Sequence, residues 1–346
     1  MLIRGDRMAE KWLYWLEDLG KEQNELVGKK CANLGEMARI GLPVPRGFAL
    51  SVHAYTHFMD ETGATQEIAA LIEASSVTPE DVAGVNRLSL AIRALVESKK
   101  IPAAMESSIL SHYNGLCERC GCADAAVSTR SAGAVSHPGQ YETYLNVKGG
   151  AEVLEKVRKV WASTFNARSL AYRLRKGLPV ASGPIGVAVL EMVKARSAGI
   201  AFSVDPNTGD TTSMIVEANW GLGESVVSGE LTPDRWVLDR ETLAVRESFL
   251  GKKEKMTCFI SAGTVERETP PEKACAFCCT DSELAEIGRL AMHLERHFGV
   301  PQDIEWAVAE DRPFPNIVLL QARPAVVIKK SAADAVVDMM LGMFRS

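Results

Sequence analysis

The apolar positions of this chain follow two periods, and the switch between them divides it. Between 51 and about 114 they recur at helical spacing, which predicts several helices separated by polar breaks at 75–81 and at Pro102. Residues 151–176 carry the longest helical stripe, through Val153, Leu154, Val157, Val160, Trp161, Phe165 and Leu174, and Gly177 stops it. From Gly183 onward the apolar runs shorten to strand length, at 185–190, 200–204, 214–217, 236–238 and 244–249. Helical spacing returns over Asp281–Phe298, where Thr280 and Glu283 make a capping-box pair and Gly299 closes the element. Two earlier strands are expected at 48–50 and 125–129, the second delivering Arg130 into a glycine- and proline-containing loop at 131–140. The pattern predicts an α/β (α+β) protein with lobes at 1–182 and 183–328. A tail at 329–346 adds an apolar helix candidate, which must bury its face on the body or on another subunit.

One pair of strands carries candidate chemistry. In 303–308, Ile304, Trp306 and Val308 alternate with Asp303, Glu305 and Ala307, so Glu305 leaves the face opposite the apolar set. Residues 317–320 form a strand-like run followed by Gln321 and Arg323 at alternate positions, and the intervening 309–316 has a turn composition with Asp311, Pro313 and Pro315. A hairpin that sets Glu305 opposite Gln321 places Glu305, Gln321 and Arg323 on one face. A carboxylate and an amide oxygen are hard ligands suited to magnesium that carries substrate phosphates. An arginine fork beside them suits a phosphate oxygen. Taken alone, the same pattern also describes the solvent face of an edge hairpin.

A chain of 346 residues exceeds one ordinary core, in line with two or three lobes. Its 47% hydrophobic and 24% charged residues are those of an ordinary soluble globular protein, and a net charge of −5 gives no electrostatic reason to expect nucleic acid. No run of about 18 apolar residues is present to span a membrane. Residues 1–20 mix charges with Trp12, Tyr14, Trp15 and Leu16 and lack the apolar region of a secretory signal, so a cytoplasmic protein is expected. In that setting the eight cysteines read as reduced thiols rather than a disulfide framework. Cys117-x-x-Cys120-x-Cys122 and Cys275-x-x-Cys278-Cys279 could together supply zinc ligands or hold an oxygen-sensitive thiol pair. Neither has the second CxxC or HxxxH of a ribbon or finger.

Several strings, in order, carry a family resemblance. Gly28-Lys29-Lys30-Cys31-Ala32-Asn33-Leu34 is similar to a GGK-x-A-x-L string, with Lys29 where the second glycine usually sits. Ser128-Thr129-Arg130-Ser131-Ala132-Gly133, continuing to Gly139, resembles an arginine loop, and Val189-Leu190-Glu191-Met192-Val193 resembles VQ-x-MV with Leu190 in place of the glutamine. Residues 197–206 resemble SAGVAF-[ST]-x-DP, and 217–229 resemble EA-x-[WY]-GLGE-x-VV-x-G. Residues 303–306 and 320–324 are similar to DIEW and LQ-x-RP. From about Val27 to Pro324 the chain resembles the N-terminal ATP-binding region of phosphoenolpyruvate synthase and pyruvate phosphate dikinase, an ATP-grasp module.

The resemblance implies a two-lobed ATP-grasp fold with antiparallel sheets and flanking helices, binding ATP and Mg2+ between its lobes. By it, Lys30 contacts ATP, Arg130 contacts phosphate, and Gly139, Gln140 and Thr143 line a loop over the nucleotide. Met192 and Val193 offer backbone atoms to the adenine edge, although Leu190 loses the side-chain contact of the usual glutamine. Glu217 and Glu224 are implied as electrostatic or metal-shell residues, with a structural cap as the alternative for either. Glu305 and Gln321 are implied as magnesium ligands and Arg323 as a phosphate contact. Lys30, Arg130 and Arg323 would then assist phosphoryl transfer by positioning and by offsetting charge.

Family enzymes also carry a mobile domain whose histidine accepts phosphate, in a string like G-G-x-T-S-H-A-A. None of the six histidines here, His53, His57, His112, His137, His293 and His297, sits in such a string. The resemblance therefore implies the ATP-binding and ATP-activating subunit of a split dikinase-like phosphotransferase. Its partner would be a histidine-bearing phosphotransfer subunit that passes phosphate to a small-molecule acceptor, leaving AMP and phosphate. Among split relatives, the size and the end of the chain are similar to an ATP-binding subunit that serves phenol. Two alternatives stay open: the ATP-binding portion of a phosphoenolpyruvate synthase or antibiotic phosphotransferase, and a nucleotide-sensing subunit without turnover.

Overall fold

The computed structural model describes residues 11–133, 141–181, 183–223, 226, 229, 231–261 and 263–327. The tail helix expected at 329–346 lies outside the described residues. The chain divides into two compact units, the first formed by Met1–Gly41, Pro45–Met192 and Phe259–Thr264, the second by Leu42–Val44, Val193–Cys258 and Val265–Ser346.

The first unit contains β1 (Leu13–Trp15), α1 (Asn24–Val27), α2 (Lys29–Arg39), β2 (Gly47–Leu50), α3 (Val52–Glu61), α4 (Ala64–Ser75), α5 (Val82–Ser98) and α6 (Ala103–Cys120). After these come β3 (Val127–Ala132), β4 (Thr143–Val147), α7 (Gly150–Ser163), α8 (Ala167–Lys176) and β5 (Gly186–Glu191). Its sheet runs β1-β2-β5-β3-β4 with every neighbour antiparallel. β5 follows the lobe break expected at 182 yet pairs with β2 and β3, and that pairing carries the strand into the first unit. Phe48, Leu50, Phe58, Ile92, Ile109, Val157 and Trp161 are among the fully buried side chains that join helices and sheet into one core.

Two expectations change. The single stripe at 151–176 is two helices, because the Asn166 side chain accepts from the Ser169 amide at 2.9 Å and starts a new N-terminus after Ser163. Arg130 sits within β3 rather than in the loop beyond it, since pairing with both β4 and β5 prolongs the strand to Ala132.

The second unit holds β6 (Ala195–Phe202), β7 (Ser213–Trp220), β8 (Asp234–Asp239), β9 (Val245–Phe249), α9 (Pro271–Ala274), α10 (Asp281–Phe298), β12 (Gln302–Ala309) and β13 (Ile317–Pro324). The intervening β10 (Lys255–Phe259) and β11 (Thr264–Glu268) form a two-stranded sheet. The main sheet runs β13-β12-β6-β7-β8-β9 and is also antiparallel throughout. The fold is thus the expected mixture of antiparallel sheets and flanking helices. α10 begins at the anticipated capping box, with the Thr280 hydroxyl accepting from the Glu283 amide and the Glu283 carboxylate accepting from the Thr280 amide at 2.9 Å. It packs on β6, β12 and β13. Leu284, Ile287, Leu290 and Leu294 of the helix are buried, as are Ile304, Trp306 and Val308 of the sheet. By alternation, Asp303 and Glu305 belong to the opposite face. Among the described residues no helix is long and apolar enough to cross a membrane.

Candidate functional site

The hairpin forms in the expected register. Glu305 of β12 lies opposite Gln321 of β13, and Asp303 lies opposite Arg323. A bulge follows, so that Trp306 faces Leu319, and the side-chain alternation shifts only beyond the polar set. Directly opposed residues of an antiparallel sheet share a face, and the register extends the row further. Glu305 faces Ile200 of β6, Ile200 faces Glu217 of β7, and Glu217 faces Arg235 of β8. Gln321, Glu305, Ile200, Glu217 and Arg235 therefore form one line across five strands. Glu217 lies about 10 Å from Glu305, two strand spacings away.

The neighbouring rows differ in character. Toward one end of β12, Ala307 and Ala309 pack with Val193, Ala198 and Val318 in a small apolar cluster. Toward the other end, the Arg323 guanidinium donates through Nε to Asp303 Oδ2 at 2.7 Å, with Nη2 also 2.7 Å from that oxygen. Along β12 the surface thus passes from apolar, to a carboxylate–amide pair, to a fixed cation. The sequence reading assigns Asp303 no role, and its alternation with Glu305 was the available signal. Burial holds the Asp303 carboxyl above its ordinary range, the Arg323 charge opposes this, and the charge of Glu305 adds to the rise. Burial likewise raises Glu217, opposed by Arg235 at 3.7 Å.

The donor set fits magnesium. Glu305 and Gln321 present one charged and one neutral oxygen side by side, which suits an ion that keeps several waters and takes its remaining ligands from phosphates. Bound there, magnesium would offset phosphate charge as a Lewis acid. Among the described residues no group of three or more His, Cys, Asp or Glu side chains could hold a metal, so the cysteine clusters form no zinc centre there.

In the first unit, Gly28 has φ 81° and starts α2, whose Lys29 amide donates to the Gly133 carbonyl at 2.9 Å. The first turn of α2 thereby abuts the end of β3. Lys30 on that turn and Arg130 on β3 both act on buried Cys31. Burial pushes its thiol up to about 12, against the pull of the two cations. The structure thus brings Lys30 and Arg130 together at the positive end of a helix, a setting that favours phosphate. Thr143 lies opposite Arg130 on β4 and is exposed. Gly139, Gln140, His137 and Glu224 lie outside the described residues. A Cβ on Gly28 would overlap the Ala132 carbonyl, at a backbone conformation that side chains seldom adopt. Gly28→Ala is expected to cost on the order of 2–3 kcal/mol in urea unfolding, and a loss under about 0.5 kcal/mol would show that α2 tolerates a shift.

The Met192 amide donates to the Ala126 carbonyl at 2.9 Å. Its carbonyl, rather than its amide, is what Met192 has left to offer an adenine edge. Val193 belongs to the apolar cluster beside Ala307.

The model of the pyruvate phosphate dikinase AMP/ATP-binding domain matches residues 24–341, and the chain belongs to that family. It is 35% identical over 336 residues to a probable phosphoenolpyruvate synthase of Methanothermobacter thermautotrophicus, covering 95% of this chain and 48% of the relative. It is 37% identical over 327 residues to that of Archaeoglobus fulgidus, covering 93% and 42% respectively. For that of Methanocaldococcus jannaschii the identity is 34% over 338 residues, covering 96% and 28%. The chain therefore spans about half or less of the length of these relatives.

Proposed function

We propose that this chain is an ATP-grasp module that binds and activates ATP with magnesium, and that its phosphoryl group passes to a histidine on a separate partner subunit. In this reading Glu305 and Gln321 hold the magnesium. Lys30, Arg130 and Arg323 offset charge on the phosphates, and Gly139, Gln140 and Thr143 cover them. Met192 and Val193 border the adenine, and Glu217 adds to the field on the same sheet face. The pairing of Glu305 with Gln321, one row from the Asp303–Arg323 pair, carries the proposal. Asp303 orients the arginine fork, so that little rearrangement is needed when a phosphate arrives. Transfer to the histidine and onward to an acceptor would leave AMP and phosphate. Phenol is the acceptor we propose first, in a split enzyme of the phenylphosphate synthase kind.

A second reading has direct support from the names of the relatives: the chain would be the ATP-binding part of a phosphoenolpyruvate synthase, with pyruvate as acceptor. One experiment separates these readings from a nucleotide sensor. ATP labelled in its β and γ phosphates is mixed with the full chain, magnesium and a histidine-bearing partner, and phenol or pyruvate is then added. Label on the partner histidine followed by phenylphosphate supports the first reading, and label on phosphoenolpyruvate supports the second. ATP binding with no transfer to any histidine overturns both and leaves a sensor.

A further inference from the structure

The nucleotide face leaves one group of side chains unused. α6 ends at Cys120, Gly121 caps it with φ 68°, and the Cys122 amide folds back to donate to the Cys117 carbonyl at 3.1 Å. Residues two apart in such a turn have Cα atoms roughly 5–6 Å apart, within the span of about 4.4–6.8 Å that a disulfide bridges. Cys120 is half-buried and Cys122 is exposed.

This turn is tied to the strand end that borders the proposed adenine position. The Arg46 side chain lies near the Cys120 thiol and donates through Nη1 to the Arg119 carbonyl. The Arg46 amide donates to the Glu191 carboxylate at 3.4 Å, and the Glu191 amide returns a bond to the Arg46 carbonyl at 2.8 Å. On the other side, the segment that leaves Cys122 supplies the Ala126 carbonyl that accepts the Met192 amide at 2.9 Å. Residue 191 is thus held by Arg46, itself tied to the Arg119 carbonyl, and residue 192 by the segment that leaves Cys122. Burial raises the Cys120 thiol, the nearby Glu191 and Cys122 add to the rise, and Arg46 opposes it; Cys122, being exposed, is the thiol a reagent meets first.

We propose that Cys120 and Cys122 are a redox-sensitive thiol pair whose oxidation to a disulfide weakens nucleotide binding at 191–193. This inference rests on the ATP site proposed above. The exposed Cys122 thiolate attacks one sulfur of a small disulfide such as oxidised glutathione, forming a mixed disulfide and releasing one glutathione thiolate. The Cys120 thiolate then attacks the Cys122 sulfur and expels the second glutathione. The protein loses two electrons and two protons, and the glutathione disulfide gains them as two thiols. The new bond takes the Cys120 sulfur from Arg46, whose backbone holds Glu191.

The test uses the full chain, reduced with dithiothreitol or equilibrated with oxidised glutathione. Mass spectrometry maps the bridges, and calorimetry measures binding of ATP with magnesium. The expected result is a Cys120–Cys122 bridge and a Kd raised about tenfold, an ordinary coupling between sites, with full recovery on reduction. Cys122→Ser should keep the affinity of the reduced chain and lose the response. Thiols that stay free, a bridge from Cys117 instead, or a Cys120–Cys122 bridge with unchanged Kd would each overturn the switch. A reduced chain that binds no ATP would overturn the nucleotide reading first, and the switch with it, whatever the thiols do.

Discussion

Glu305→Ala is expected to weaken magnesium-dependent ATP binding by about 100-fold, roughly 2.7 kcal/mol. The argument starts from the sheet. Gln321 is neutral, and Glu305 is the carboxylate opposite it, so the substitution removes the one charge from the proposed pair of magnesium ligands. The other carboxylate of the hairpin, Asp303, is engaged by Arg323 and buried, which keeps it from substituting. The fold should not suffer. Glu305 is only half-buried, and its charge acts against that of Asp303, so its removal relieves a repulsion. Calorimetry with ATP at varied magnesium concentration measures the effect, and urea unfolding of the same variant controls for stability. AMP binding without magnesium should change less than about twofold. If ATP affinity keeps its magnesium dependence in the variant, Glu305 is no ligand and the site assignment fails.

Lys253→Met should produce a large loss of stability, about 3–5 kcal/mol in urea unfolding. The Lys253 ammonium and the Asp234 carboxylate form an ion pair in which both side chains are fully buried. Asp234 also accepts from the amides of Gly251 and Cys278, each at 2.9 Å, and Lys253 donates to the Gly251 carbonyl at 3.1 Å. Methionine fills similar space but leaves the carboxylate without its countercharge in a dry setting. Lys253 has φ 44°, and methionine inherits the same backbone, so the measured loss reports the pair rather than new backbone strain. Asp234→Ala should cost at least as much, because it strands the ammonium and two amides together. A loss below about 1 kcal/mol for either variant would mean that water reaches the pair.

Neither of these residues was equally visible beforehand. Glu305 could be found because a strand with one covered face writes a period of two into the sequence, and its polar members then announce themselves. The register with Gln321 followed from the same alternation together with the turn-forming prolines. Asp303 lies in the same alternation, but a carboxylate two residues from a candidate ligand says nothing of its partner until the opposing strand is in place. Lys253 and Asp234 left no sequence signal at all. They lie at either end of the β8–β9 hairpin, 19 positions apart, and only burial turns two common charged residues into a pair. Helix ends show the same division. Thr280, Glu283 and Gly299 bound α10 where local capping chemistry says they should. Asn166 breaks the 151–176 stripe because its side-chain bond competes with a hydrophobic period that runs on through it.

The sequence by itself determined the alternation of helix and strand, the family, the polar set Glu305, Gln321 and Arg323, and the lysine and arginine strings, because each rests on periodicity or on short-range chemistry. The tertiary structure alone decided that Glu217 and Arg235 stand in line with Glu305, that Asp303 takes Arg323, that Lys30 and Arg130 flank one buried thiol, and that Lys253 meets Asp234 away from water. Those facts depend on which strands become neighbours and on what is shielded from solvent. Distant segments settle both together, by burying the most apolar surface while leaving the fewest polar groups without partners.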